Sequence, residues 1–423
     1  MKVFKFGGAS VKDAASVKNV ASILSIFRDE PLVVVVSAMG KTTNALEQVV
    51  NTYFNKDSKL PEYIEQVKKY HLNILDGLGF KKDHKIFEAL ENMMVEIDWI
   101  IEDQPTRGYA FAYDQIVSQG ELIATKIVST YLRENNFANE WLDIRDCIIT
   151  DDTFREGKVS WDLTEKLVIR KIPSLLEKNK LVITQGFIGA TSENFTTTLG
   201  REGSDYTAAI LSYCLGAEEM IVWKDVPGVL SADPKFYDDA IQLREIGYLD
   251  AIELTYYGAT VIHPKTIKPL ENKNIPLRVR SFLSPKEKGT TIWNYSETKP
   301  LVPSFIFKTN QILVSISAKD FSFIAEESLS KIFGLFASLK VKINLMQNSA
   351  VSFSVCLDND PFKIPQLISE LQKDFKVLYN EGLKLITVRH YYPSTLEFLT
   401  KDKHVLLEQR SRNTAQVVLR EDF

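Results

Sequence analysis

The sequence predicts an α/β protein, with a mostly parallel sheet sandwiched by helices, followed by a smaller ferredoxin-like α+β domain. Two observations carry the first part. Short β-branched runs at 2–6, 32–36, 181–184, 220–223 and 275–279 alternate with segments of helical apolar spacing, such as 14–27 and 205–215. That order builds β-α-β units, whose strands lie parallel and whose helices cover both faces of the sheet. A third observation marks the second part: beyond the polar, proline-bearing stretch SETKPLVP (296–303) the pattern changes to β-α-β-β-α-β within about 70 residues.

Taken in order, residues 2–6, 14–27 and 32–36 form the first β-α-β unit. From about 44 to 138 the spacing is mainly helical, for example at 85–101 and 115–132, and predicts a helical subdomain capping the sheet edge where a substrate would sit. The first domain is therefore 1–298. The second, 304–423, reads as a strand at 312–317, a helix at 324–339, strands at 341–346 and 351–357, a helix at 365–371 and a strand at 376–379. Further strands at 383–390, 405–408 and 414–419 have too little helix between them for a second full copy, so a second module is expected in reduced form, without its first helix.

Composition narrows the function. With 51 Lys+Arg against 55 Asp+Glu and a net charge of −4, the chain has no basic field for nucleic acid or anionic lipid. The opening MKVFKFGG lacks the apolar stretch of a signal peptide, and no later run approaches a membrane span, so a cytoplasmic protein is expected. Cys147, Cys214 and Cys356 are odd in number and far apart, which fits neither a disulfide framework nor a CxxC metal site.

The chemistry concentrates in a few segments. TLGREGSD (198–205) leads into an apolar helix, and a glycine-rich turn at a helix N-terminus favours an anion through free N–H groups and the helix dipole. Within it, Arg201 offers a bidentate fork for a carboxylate, while Ser204 and Asp205 fall at the helix start, where Asp205 alone reads equally well as a cap. KFGGASV (5–11) puts Lys5 at a strand end with Gly7 and Gly8 directly after, a weak phosphate signal by itself, since such a pair is usually a turn. VVVSAMGKT (34–42) imitates a P-loop but has Val35 where the first glycine belongs, so it cannot wrap a phosphate in a nest. In SQGELIATK (118–126), Glu121 on an apolar helix is suited to a substrate ammonium; taken alone, it reads as a solvated helix charge. His263, before Pro264, is expected to be structural.

In sequence, KFGGASV, VSAMGKTTN, SQGE, ITQGFIGA (183–190), TTLGREGSD, WKDVPGVLSADPK (223–235) and GATVIHPKT (258–266) resemble the successive motifs of the aspartate kinases, which have the amino-acid kinase fold, and the tail resembles their ACT regulatory region. The resemblance spans nearly the whole chain. It implies transfer of the ATP γ-phosphate to the side-chain carboxylate of L-aspartate, giving 4-phospho-L-aspartate, the first step toward lysine, threonine, methionine and diaminopimelate. A carboxylate acceptor is already ionised at neutral pH, so the site needs positioning and charge stabilisation rather than a general base. By similarity, Lys5 stabilises the transferring phosphoryl group, Gly7 and Gly8 donate N–H bonds, and Asp205 holds Lys5. Arg201 takes the aspartate α-carboxylate and Glu121 its ammonium, with Ser37, Thr43, Phe187 and Ser204 completing the pocket. Nucleotide contacts fall on Lys224, Asp225, Leu230, Lys235 and Thr260. Mg2+ is expected to arrive with ATP rather than in a dedicated protein site.

Departures from the family pattern concentrate in the nucleotide half. Lys224 stands for threonine, Leu230 for tyrosine, Lys235 for arginine and Thr260 for lysine, so one cation is lost at 260; Lys224 or Lys265 can regain it, and Lys224 is the candidate taken to replace it. Glu202 occupies a position where a small residue is common. In the tail, Asn344 and Ala350 replace the carboxylates of lysine-sensitive relatives, and the ACT region is expected chiefly to pair subunits by their sheet edges, giving a homodimer. Two alternatives remain open at this stage: an amino-acid kinase with another acceptor, and a non-catalytic effector-binding paralogue.

Overall fold

The computed structural model describes residues 1–102, 105, 107–259, 262–320 and 322–420. In chain order the N-terminal elements are β1 (Lys2–Phe6), α1 (Ala14–Ile26), β2 (Leu32–Val36), α2 (Thr42–Asn55), α3 (Leu60–Leu78), α4 (Lys85–Glu102), α5 (Tyr109–Glu134) and β3 (Glu140–Leu142). Then come α6 (Trp161–Lys178), β4 (Leu181–Gln185), β5 (Ile188–Ala190), β6 (Thr196–Thr198), α7 (Gly203–Leu215), β7 (Glu219–Lys224), β8 (Val229–Leu230), β9 (Gln242–Leu243), β10 (Glu245–Gly247), α8 (Tyr248–Tyr257), α9 (Pro264–Asn272), β11 (Leu277–Ser281) and β12 (Thr290–Trp293). The tail holds β13 (Ser304–Ala318), α10 (Glu326–Ser338), β14 (Ile343–Asn348), β15 (Ser352–Asp358), α11 (Lys363–Asp374), β16 (Phe375–Arg389), α12 (Pro393–Thr400), β17 (Val405–Arg410) and β18 (Thr414–Arg420).

Contacts divide the described residues into two units, one from 1–229, 244–252 and 261–298, the other from 230–243, 253–260 and 299–423. The first is built on an eight-stranded sheet of order β10-β12-β11-β7-β1-β2-β4-β3. Its pairings are parallel apart from β11 with β12. The central strands are apolar almost throughout because both faces are covered. Alternate residues Phe4, Phe6, Val34, Val36, Ile183, Ile221 and Trp223 share one core with α1 to α5. The opposite parity meets α7, which packs on β1, β2 and β7. Gly79 in the left-handed region ends α3, and its N–H returns to Asp76 and Leu75.

The second unit has an antiparallel six-stranded sheet of order β14-β15-β13-β16-β18-β17. Ile312, Val314, Ile316, Val355 and Leu357 pack with Ile332, Phe336, Ile364, Leu367 and Leu371 of α10 and α11. Two features differ from the sequence expectation. The strands expected at 376–379 and 383–390 are one continuous β16, paired with an equally long β13 from Ser304↔Arg389 to Ala318↔Phe375. A short helix, α12, also stands between β16 and β17, where the sequence showed strands only. Leu396 and Leu399 anchor it against Ile386, Val388, Ala415 and Val417. Eight residues with two buried leucines leave too brief a helical period to read from sequence.

Among the described residues, no helix is long and apolar enough to cross a membrane. Cys147, Cys214 and Cys356 are buried free thiols, and no three or more His, Cys, Asp or Glu gather as a metal cluster among the described residues.

Candidate active site

The site grows from β1. Phe4 and Phe6 enter the core shared with α1 to α5, so Lys5, of opposite parity, projects to the face that α7 covers. There Lys5, only 9% exposed as a residue, brings its ammonium to 2.7 Å from Asp205 Oδ1. Lys224, at the end of β7, brings its Nζ to 3.6 Å from the other carboxylate oxygen. Asp205 lies in the first turn of α7 but does not cap it; Glu202 holds the cap position, at φ 54°. Burial alone would push the Asp205 carboxyl upward, yet the charges of Lys5 and Lys224 outweigh it and hold the group below its ordinary value. The result is a buried, ionised carboxylate clasped by two lysines.

The loops leaving β1 and β2 close over the same strand ends. Gly8 accepts a hydrogen bond from Gly40 N–H at 3.0 Å, and Phe6 accepts one from Ser37 N–H at 3.0 Å. A Cβ on Gly8 would come within 2.7 Å of Gly40 O and 2.8 Å of Ala38 O, so only glycine permits this approach. Ligands of open parallel sheets bind outside the carboxyl ends of strands, where these loops lie. Gly186 plays a comparable part after β4, since a Cβ there would sit 2.5 Å from Ser204 Cβ. The next residue, Phe187, has φ 72°; its N–H donates to Thr207 Oγ1 at 3.0 Å and its carbonyl accepts from Leu199 N–H at 2.8 Å. Ser204 is thus buried between the Gly186–Phe187 turn and α7, while Ser37 and Thr43 are half-buried.

Glu121 departs most from its isolated reading. From Ala112 to Thr125 α5 is buried nearly all round, and Glu121 is 2% exposed rather than solvated. Burial pushes its carboxyl up to about 8, against the opposing pull of the Ala38 N–H and the charge of Lys5. Its Oε2 is buried and has no hydrogen-bond partner among the described residues. An orphaned buried acceptor of this kind suits a cationic N–H donor from a ligand.

Other predicted residues are placed differently. Arg201 is exposed and makes no hydrogen bond or ion pair within the chain among the described residues. Asp225 is exposed. Leu230 and Lys235 group with the second unit, in a segment where Phe305 N–H donates to Ser231 O at 2.6 Å and Phe236 and Tyr237 stack on Phe307 and Phe305. The WKDVPGVLSADPK motif is therefore shared between the units, because its aromatic continuation belongs to the tail's core. Thr260 lies outside the described residues. His263 caps α9, its Nδ1 accepting from Lys265 N–H at 3.2 Å.

Sequence reasoning missed Asp114 and Arg155. Asp114, fully buried on α5, accepts N–H bonds from Arg155 and Thr198. The available signal was its position seven residues before Glu121, two turns along the same helix face.

A parallel sheet with glycine-walled loops at its strand ends, a buried lysine and an ionised aspartate define a phosphoryl-transfer centre of the small-molecule kinase type. The model of the amino acid kinase family matches residues 1–281. Lysine-sensitive aspartokinase 3 of Escherichia coli is 32% identical over 396 residues, 91% of this chain and 86% of that protein. Chloroplastic aspartokinase 1 of Arabidopsis thaliana is 30% identical over 423 residues, 96% of this chain and 73% of that one. Among solved structures, E. coli aspartokinase III in complex with lysine and aspartate superposes with a TM-score of 0.85 at 27% identity, covering 99% of this chain and 96% of that one. The same enzyme with aspartate and ADP gives 0.83 at the same identity and coverage. The chain belongs to the amino acid kinase family and, within it, to the aspartokinases.

The raised Glu121 carboxyl gives a stability prediction with a definite sign. A buried acid whose folded value lies above its ordinary 4.5 stabilises the fold while protonated, and that contribution is lost as the pH rises through about 8. Glu121→Gln should match the parent in urea denaturation near pH 4 and exceed it by about 5 kcal/mol at pH 9, the gap opening between about pH 4.5 and 8. A difference independent of pH would mean that Glu121 is ionised in the unliganded protein.

Proposed function

We propose that the chain is an aspartate kinase, transferring the γ-phosphoryl group of ATP to the side-chain carboxylate of L-aspartate to give 4-phospho-L-aspartate and ADP. The observation that carries this reading is the unpartnered carboxylate oxygen of buried Glu121 beside the Lys5–Asp205 pair. It calls for an acceptor bearing an ammonium close to the group that is phosphorylated.

The division of labour follows from charge. An aspartate carboxylate oxygen attacks the γ-phosphorus while the bond to the β-phosphate oxygen breaks, and no proton needs to move. Lys5 faces the charge that spreads over the transferring group, held in place by Asp205. Gly7 and Gly8 let main-chain N–H groups approach the phosphates. Glu121 takes the substrate ammonium, which favours its ionised form, and Arg201 takes the α-carboxylate; its exposure leaves the guanidinium open to an incoming anion. Ser37, Thr43, Phe187 and Ser204 shape the pocket. On the nucleotide side, Lys224 supplies a cation beside Asp205, and we place Asp225, Leu230, Lys235 and Thr260 among the nucleotide contacts on the motif alone.

Magnesium fits as a metal carried by the nucleotide. The oxygens of Asp205 face two lysines, whereas Glu202 Oε2 is buried without a hydrogen-bond partner among the described residues, leaving one oxygen suited to a metal-bound water. When bound, the metal neutralises phosphate charge.

The tail pairs subunits. β14 is an edge strand, and Met346 to Asn348 on it are exposed, which suits pairing with a second copy. It does not suit lysine: Asn344 is spent on Lys308, Gln311 and Asp358, and Ala350 has no charge for an ammonium. Three buried free thiols agree with a reducing cytoplasm.

Three measurements test these statements. Hydroxylamine trapping with Mg-ATP should yield acyl phosphate from L-aspartate and none from L-glutamate or N-acetylglutamate; silence with every acceptor despite aspartate binding would make the chain a binding protein. Arg201→Ala should raise the KM for aspartate at least about tenfold with the KM for ATP little changed, and Lys224→Ala should do the reverse. Equal effects of either variant on both substrates would undo its assignment. Sedimentation should give a dimer at micromolar concentration, and a monomer there would exclude pairing through the tail.

A further inference from the structure

We propose that Asp114 is a positioning residue that holds the Arg201-bearing loop in its substrate-binding place. The inference rests on the reading of Arg201 as the carboxylate clamp. Asp114 touches neither the lysine pair nor any residue assigned to substrate, yet it is a fully buried carboxylate on the helix that carries Glu121.

Three donors converge on it. Oδ2 accepts the N–H groups of Arg155 and Thr198, both at 2.9 Å, and Oδ1 accepts the Thr198 hydroxyl at 2.7 Å. Thr198 is the last residue of β6, three positions before Arg201. On one edge β6 pairs with β5; on the other no strand lies beside it among the described residues, and side chains of α5 take the place of one. Gln115 donates to Thr196 O at 2.7 Å and accepts from Thr196 N–H at 3.2 Å, and Asp114 takes the next inward-facing N–H, that of Thr198. The helix thus completes the edge of the strand that launches the substrate loop.

The same carboxylate fixes the neighbouring loop. Arg155 lies at φ 71°, a conformation unfavourable for a residue with a Cβ, and its N–H is bound by Asp114. Gly157 N–H donates to Thr198 O at 2.8 Å, and a Cβ on Gly200 would come 3.2 Å from Arg155 O, so the loops around 155 and 200 are packed against each other. The Arg155 guanidinium lies over the Tyr113 ring, 4.4 Å from its centroid, and comes within 3.7 Å of Glu47. Glu47 is on α2, one turn beyond Thr43. Asp114 therefore joins two loops and, through Arg155, a third wall of the pocket.

Charged and titratable groups around Asp114 are Arg155 from the facing loop, Glu47 beyond it on α2, Glu156 beside Gly200, and Tyr109 and Tyr113 on its own helix. Burial pushes the Asp114 carboxyl up to about 6, against the pull of the three hydrogen bonds and Arg155. Protonation below that point removes acceptor capacity where three donors meet, so the loop loosens in acid.

The test is steady-state kinetics of the full chain with Asp114→Ala, Asp114→Asn and Thr198→Val, alongside Arg201→Ala and the Asp114→Ala/Arg201→Ala double variant. Asp114→Ala should raise the KM for aspartate about tenfold or more, with the KM for ATP within about twofold. Asp114→Asn should show a smaller rise and lose the acid-side inflection near pH 6 in the aspartate KM. The double variant should be no worse than Arg201→Ala alone, because the two residues act through one clamp. Should Asp114→Ala fail to fold, Asp114→Asn and Thr198→Val carry the same reading. Unchanged aspartate KM in folded Asp114 variants, or effects additive with Arg201→Ala, would overturn the proposal while leaving the Arg201 assignment intact. An Arg201→Ala variant with normal aspartate KM would overturn both.

Discussion

The contact between Lys5 and Asp205 constrains more of the catalytic unit than any other. A lysine in the middle strand of a doubly covered sheet would be prohibitive without a partner, because removing water from a lone charge costs several kcal/mol on the order of magnitude seen for buried ions. Its carboxylate must come from the face that β1 presents at odd positions, and that face belongs to α7. The register of β1 with β7, the approach of α7 and the tight Gly186–Ser204 contact at its N-terminus all follow from bringing these atoms to 2.7 Å. Lys224 then adds a second cation from the next strand, so the carboxylate remains ionised where burial alone would protonate it.

The two buried carboxylates of the site sit in unequal electrostatic environments. Asp205 is held ionised by two lysines, whereas Glu121, equally buried, meets one N–H and a more distant ammonium and is pushed up to about 8. The difference fits the roles proposed for them, in which Asp205 holds the lysines permanently and Glu121 takes a cation that arrives with the ligand.

Much of this was legible in the sequence, for reasons that differ by element. The parallel sheet was readable because strands buried on both faces become uninterrupted apolar runs, as in LVVVV of β2. The motif glycines were readable because backbone approach leaves no room for a side chain, as at Gly8. Glu121 was visible as a residue but not as an orphan, since its burial depends on α5 being enclosed on every side. Asp114 shares a helix face with Glu121, but nothing in the sequence marks its partners: two are backbone N–H groups and the third is the hydroxyl of Thr198, 84 positions further along. The allocation of Leu230 and Lys235 to the second unit was hidden too, because it is decided by Phe305 and Phe307, about 70 residues further along the chain. The helix α12 was simply too short to announce its period.

The long pairing of β13 with β16 has a mechanical meaning for the tail. Each strand runs 15 residues, about 50 Å of continuous backbone, and the two stay paired past a bulge near Gln311. The half that packs α10 and α11 and the half that packs α12 are therefore not two beads on a string but opposite ends of one plank. No seam crosses it that could open without breaking main-chain hydrogen bonds in its middle, and so a load applied at either end is borne by the whole.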